Sequence, residues 1–127
     1  MELSNFIEYE RLFVLELRNP LTDAPLGIVF QIRSAGSAEA KAVLRKHADK
    51  NLARLQKNKL VKSSDLEEQE LEKAASYIAS WDWGEHTWHG EKPKFSMEKA
   101  IEIMKDASWI YAQVVEVAND IANFTTK

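Results

Sequence analysis

Two short stretches near the start of the chain alternate apolar and polar side chains with a period of two. In LFVLELR, residues 12–18, Phe13, Leu15 and Leu17 fall on one face while Glu16 and Arg18 fall on the other. In GIVFQIR, residues 27–33, Ile28, Phe30 and Ile32 alternate with Gln31 and Arg33. That alternation is the signal of a half-buried β-strand. The intervening NPLTDAPL carries two prolines, which remove backbone donors and favour a turn. The pattern therefore predicts a hairpin over about residues 11–34, with a loop too long for a two-residue turn. An isolated hairpin is barely stable, so it must pack on the helices downstream.

After Ser37, a natural N-cap, the spacing changes to three and four. Ala40, Val43, Leu44, Ala48, Leu52 and Leu55 form a narrow apolar stripe, predicting a helix over about 38–60. Ser64-Asp65-Leu66-Glu67 has the spacing of a capping box. It predicts a second helix over about 65–81, with Leu71, Ala74, Ala75, Ile78 and Trp81 inward and Gly84 as the stop. Phe95 and Ser96 fit a staple residue and an N-cap for a third helix, about 97–105, that turns Met97, Ala100, Ile101 and Met104 inward. A break at 106–108 precedes a last helix, about 108–122, with Ile110, Val114, Val117, Ala118 and Ile121 on one stripe and Phe124 after it. The fold class is α+β: an N-terminal β-hairpin packed on three or four mainly amphipathic α-helices, as one domain over 1–127.

Composition narrows the function classes. A chain of 127 residues, 45% hydrophobic and 29% charged, suits one globular core. It contains no cysteine, which excludes disulfides, thiolate chemistry and Cys-based zinc sites. The first ten residues, MELSNFIEYE, lack a basic start and an apolar run, and no stretch approaches the roughly 20 apolar residues of a membrane span. A cytoplasmic protein without membrane contact is expected. The formal net charge of −3 gives no general attraction to nucleic acid.

Charge is nonetheless segregated. Lys41, Arg45, Lys46, Lys50, Arg54, Lys57, Lys59 and Lys62 make the first helix basic, and Asp65, Glu67, Glu68, Glu70 and Glu72 make the start of the second acidic. Negative charge there suits the positive end of the helix dipole. The basic run 41–62 could neutralise phosphates in a small nucleic-acid-binding protein. Against that, the acidic run follows directly and can fold back on it, or meet it from another copy.

The stretch SWDWGEHTWHGEKPKFS, residues 80–96, carries the candidate chemistry. Trp81 is in phase with Ile78 and reads as core. Trp83 and Trp88 lie outside any helical register, and either plug a gap between helices or form a partner surface. Stacking on bases would need interleaved cations, and none precedes Lys92 in this stretch. His86 and His89 with Glu85 and Glu91 are ligand types for a divalent metal, but HxxH in a loop is a weak pattern and a structural site needs four ligands. No metal and no cofactor are expected, and His47 reads as helix-surface packing. There is no nucleophile elbow, phosphate-cradling glycine loop or HExxH motif, and only four glycines in all, so no catalytic residue is assigned and no enzyme is expected.

Four segments together resemble the tail assembly chaperones of long-tailed bacteriophages and prophages. NPLTDAPLGIVFQIRS is similar to that family's Pro-x-Thr-x-x-Pro-x-Gly hairpin, and a charged helix beginning SAEAK follows it. IASWDWGEHTWHGEKPKFSMEKAIEIM resembles its Trp-then-Gly, Pro-x-Phe-Ser/Thr-x-Glu-x-Ala segment. DASWIYAQVVEVANDIANF is close to its Trp-Ile-x-x-Gln-Val helix and terminal Asn-Phe. The segments span most of residues 9–124, and their order and spacing carry the case. The resemblance implies a protein without catalytic residues that binds the tape measure protein, a long helical polypeptide, and helps tail tube protein assemble around it in the bacterial host cytoplasm. It also implies absence from the finished particle and, in many such phages, a longer frameshifted product. The histidine loop gains nothing from it.

Site expectations follow. Arg45, Lys46, Lys50 and Arg54 of the first helix are expected to meet Glu67, Glu68 and Glu70 of another copy, building a homo-oligomer by head-to-tail contacts. Reversing Lys46 and Lys50 to Glu should then abolish self-association. Trp83 and Trp88 are the candidate partner surface. The rival functions are nucleic-acid binding through 41–62 and a structural head-tail joining role.

Overall fold

The computed structural model describes residues 2–126; Met1 and Lys127 lie outside the described residues. The hairpin forms as the alternation predicts: β1 (Phe13–Arg18) pairs antiparallel with β2 (Pro25–Ile32), Leu15 opposite Phe30 and Phe13 opposite Ile32. Leu15, Leu17, Ile28, Phe30 and Ile32 are buried. The loop is built by Asn19, whose Oδ1 accepts the backbone N–H groups of Leu21 and Thr22 at 2.8 and 3.3 Å. Where the β1 ladder shifts register, the Gln113 amide replaces a strand partner. It accepts the Arg18 N–H at 2.9 Å and donates to the Arg18 carbonyl at 2.8 Å.

Helix α1 (Ala38–Gln56) starts where Ser37 Oγ accepts the Ala40 N–H at 3.3 Å. It ends in a Schellman motif. Asn58 takes a left-handed φ of 56°, its N–H donates to Leu55 O at 3.0 Å, and the Lys59 N–H donates to Arg54 O at 2.9 Å. Helix α2 (Ser63–Ser76) begins one residue before the Ser64 capping box. Its start is held instead by Asp65, whose carboxylate accepts the Lys62 N–H at 3.3 Å.

The expected run of α2 to Trp81 is corrected: the helix stops at Ser76, and Ile78–Asp82 is a third strand, β3. Two causes act there. Ala79, Trp81 and Trp83 alternate with Ser80 and Asp82, a strand period that outcompetes the helical one. Arg33, at the end of β2, donates its guanidinium to the carbonyls of Ser76 and Ile78 at 3.0 and 3.1 Å, satisfying the helix end where a cation is favourable. β3 pairs antiparallel with β2 and gives the sheet order β1-β2-β3. A register shift between Gln31 and Ile32 lets Ile78 reach the core although Trp81 lies three residues on.

Helix α3 (Met97–Asp106) is capped by Ser96 Oγ, which accepts the Lys99 N–H at 3.0 Å. It buries Ala100, Ile103 and Met104; Met97 is exposed and Ile101 only half-buried. Non-helical Ala107 makes the expected break, and α4 (Ser108–Asn119) buries Ile110, Val114 and Ala118. The chain leaves α4 at Asp120, short of the expected 122. Ile121 is exposed in a 3-10 turn while Phe124 is buried. The Glu8 N–H donates to Phe124 O at 2.7 Å, and the Thr126 N–H to Phe6 O at 2.9 Å, tying the two ends of the described chain together.

Candidate interaction surface

α1 packs chiefly on α2, not on the sheet, and the two form a helical hairpin arm. What holds the arm is polar. His47 Nε2 donates to Glu72 Oε2 at 3.0 Å. One turn further, Asn51 and Gln69 exchange amide hydrogen bonds at 3.1 and 2.8 Å. Beyond them the Arg54 guanidinium pairs with Asp65. Positions 47, 51 and 54 and positions 65, 69 and 72 each step by four and three, so both sets line one helical face and meet in antiparallel order. The carboxylates register this: the His47 hydrogen bond, with help from Lys46, holds Glu72 below the usual carboxylate range although burial opposes it. Asp65 is lowered by its hydrogen bond from Arg54.

Because the polar set faces inward, the apolar stripe faces out. Among the expected inward residues of α1, Ala40 is buried and Val43 half-buried, but Leu44, Ala48, Leu52 and Leu55 are exposed. The two leucines nearest the tip are 55% and 59% exposed. Leu60 in the tip turn is 86% exposed, and Leu66, at the level of the Arg54–Asp65 pair, is 48% exposed. His47 takes the buried position that the sequence assigned to aliphatic residues. The signal was present in the matched four-three spacing of polar residues in the two helices, which apolar periodicity alone overlooks.

The expected self-association residues are thus divided. Lys46 pairs with Glu72 of its own chain at 3.5 Å, Arg54 with Asp65, and Glu70 with Lys73 at 3.2 Å. The acidic helix does fold back on the basic one. Arg45, Lys50, Glu67 and Glu68 make no ion pair among the described residues. Lys50, Arg54, Lys57, Lys59 and Lys62, with Ala53 and Leu60, line an open groove of about 670 Å³ at the tip.

The tryptophans are placed differently from a partner surface. Trp83 is 6% exposed and packs against Phe30, Trp81 and Trp88 at ring-centroid distances of 6.3, 5.9 and 6.3 Å. Trp88 is half-buried against the same core. Trp83 acts as the plug, so the partner-surface expectation is corrected for Trp83, while Trp88 packs half-buried beside it. The reason is the strand start: β3 carries the aromatics over the end of the sheet, and residues 83–96 fold back on them. The Trp81 indole donates to Pro93 O at 2.8 Å and meets Phe95 edge-on at 5.1 Å. The turn is made by His89 and Gly90, both at positive φ, between Trp88 and Glu91. Gly84 has φ +59°, and a Cβ there would sit 3.0 Å from Gly27 O, so glycine is required where β3 turns away. The indole N–H groups of Trp83 and Trp88 are buried without an acceptor among protein atoms.

His86 Nε2 lies 2.7 Å from Leu26 O. A carbonyl only accepts, so this nitrogen donates and has no lone pair for a metal. No three His, Asp or Glu side chains among the described residues gather closely enough to hold a metal ion. No helix among the described residues is long and apolar enough to cross a membrane. Comparison of the chain with family models, curated proteins and solved structures gives no match.

Proposed function

We propose that the protein is a non-catalytic tail assembly chaperone that binds the tape measure protein and promotes assembly of the tail tube protein, acting as a homo-oligomer. The observation that carries this reading is the α1–α2 arm, polar inside and apolar outside. Exposing a run of leucines while burying a ladder of hydrogen bonds is unfavourable for an arm that stays in water. It suits an element whose outer face is covered by another polypeptide, and amphipathic helices dock on such faces by apolar anchors with charged rims. The segments that carry the family resemblance have architectural work in this fold. Gln113 clamps the hairpin loop, Pro93 and Phe95 receive Trp81, and Ser96 caps α3.

The test is co-expression with a tape measure polypeptide and a tail tube protein. The chaperone reading requires that the chain co-purify with the tape measure polypeptide, keep it soluble, and be missing from mature particles. Presence in the particle would favour the head-tail joining role.

One observation favours the nucleic-acid reading, the cation-lined groove at the arm tip. Filter binding of nonspecific DNA at low salt separates the two. Retention that is lost in Lys57→Glu/Lys59→Glu would replace the chaperone reading, and no retention leaves it standing.

A further inference from the structure

We infer that the free edge of β1 takes an extended, basic segment of another polypeptide as a further strand of the sheet. This surface lies apart from the arm and goes beyond the chaperone reading.

Hydrogen bonds fix which backbone groups face outward. In the order β1-β2-β3, β1 is an edge. Backbone groups along a strand alternate between its two sides. The Asn19 N–H donates to Ala24 O at 2.8 Å, so the odd-numbered residues of β1 turn their backbone groups to β2, as Leu15 does opposite Phe30. The Arg33 N–H donates to Tyr77 O at 2.6 Å, so the odd-numbered residues of β2 serve β3, and Phe30 and Ile32 serve β1. Both ladders agree that Val14, Glu16 and Arg18 present N–H and C=O to the open side. At Arg18 that side is filled. The Gln113 carboxamide, chemically a peptide group, accepts the N–H at 2.9 Å and donates to the carbonyl at 2.8 Å, as a neighbouring strand would. Val14 and Glu16 offer the same pair of groups and have no such partner among the described residues.

Grooves flank this edge. One of about 520 Å³ is lined by residues 11–14 with Ala122 and Thr125. Successive strand side chains point to opposite faces, so a groove that touches all four residues follows the backbone. A second, of about 310 Å³, lies between Leu15, Arg18 and the turn of α4 that holds Glu116 and Val117. Val14, at the centre, is 56% exposed. Evenly spaced donors and acceptors beside a groove match one kind of occupant, an extended backbone.

Charge selects which segment. Gln113 sets one side of α4 against the edge, and positions 116, 117 and 120 share that side by their three- and four-residue spacing. Glu116 and Asp120 are exposed there and make no ion pair among the described residues. A second copy pairing β1 with β1 would bring these carboxylates against their own images. A segment with Lys or Arg over Glu116 and Asp120, and an apolar side chain beside half-buried Val117, meets both needs.

Panning a library of random linear peptides against the 127-residue chain tests the inference. The expected result is enrichment of peptides that place basic and apolar residues at alternate positions. With such a peptide bound, amide exchange should slow about tenfold at Val14 and Glu16. N-methylation of the peptide at alternate residues should abolish binding in one phase and spare it in the other, because a strand paired on one side uses every second amide. Val14→Pro removes an outward N–H that no β1–β2 bond uses, at an edge where proline is tolerated. It should stay folded and bind about tenfold more weakly. Glu116→Lys should weaken the basic peptides by a similar factor. The methylation series reads the same bonds without altering the chain. No enrichment, equal loss in both methylation phases, or protection of other amides instead of Val14 and Glu16 overturns the inference. So does a dimer in sedimentation that Val14→Pro makes monomeric, since the edge would then serve a second copy. Each of these results leaves the arm's binding of the tape measure polypeptide to its own test.

Discussion

At the scale of single residues, similar side chains carry different burdens. Trp81 and Trp88 are both half-buried in one aromatic cluster, but Trp81 has an acceptor in Pro93 and Trp88 has none among protein atoms. Losing a satisfied hydrogen bond costs about 1 kcal/mol net, whereas removing an orphaned buried donor relieves a penalty of about 1–3 kcal/mol. Trp88→Phe should therefore destabilise less than Trp81→Phe, by about 1 kcal/mol or more in urea unfolding; the reverse order would contradict the assignment. Glu72 makes a pH prediction. Its folded pKa lies below the ordinary value of 4.5, first because His47 donates to it. A carboxylate lowered in this way contributes fully above its ordinary pKa, and the contribution is lost as pH falls through the lower folded value. Stability should drop between pH 5 and acid, and the drop should be smaller in Glu72→Gln; an equal drop in both proteins would remove Glu72 as a cause.

At the scale of elements, what was legible follows from which force dominated. The hairpin, α3 with its cap and the body of α4 were readable because apolar burial dominates there, as at Leu15, Phe30 and Ile110, and at Ser96 capping agrees with it. β3 was hidden because Ala74, Ala75, Ile78 and Trp81 continue a helical stripe that overlaps the strand period of residues 79–83, and the Arg33 hydrogen bonds and pairing with β2, which are long-range, tip the balance and end the helix at Ser76. The α1 stripe was readable as a pattern but not in its direction, since the polar ladder decides which side faces α2. A helix that buries Ala40 and His47 and little else should open more easily than α4. Amide exchange in α1 should be at least tenfold faster than in α4, and equal protection would show an arm more firmly docked than described. Within the ladder, Asn51→Leu and Gln69→Leu should each destabilise, and the double variant should recover part of the loss. The coupling should be about 0.5–1.5 kcal/mol by a double-mutant cycle, and strict additivity would argue against the pair.

At the scale of the whole molecule, a sheet backed by α4 and the end of α2, with α3 packed on both helices, forms the core, and α1 packs on the outer part of α2 as a helical arm. The tryptophan-rich segment packs on the core, which leaves the arm as the surface proposed for polypeptide binding. Titration of the tape measure polypeptide against the wild-type chain and against Leu52→Glu/Leu55→Glu, with folding checked in parallel, tests that placement most directly. The account predicts saturable binding by the wild type and at least tenfold weaker binding by the folded variant. Equal binding by both, or none by either, would contradict it.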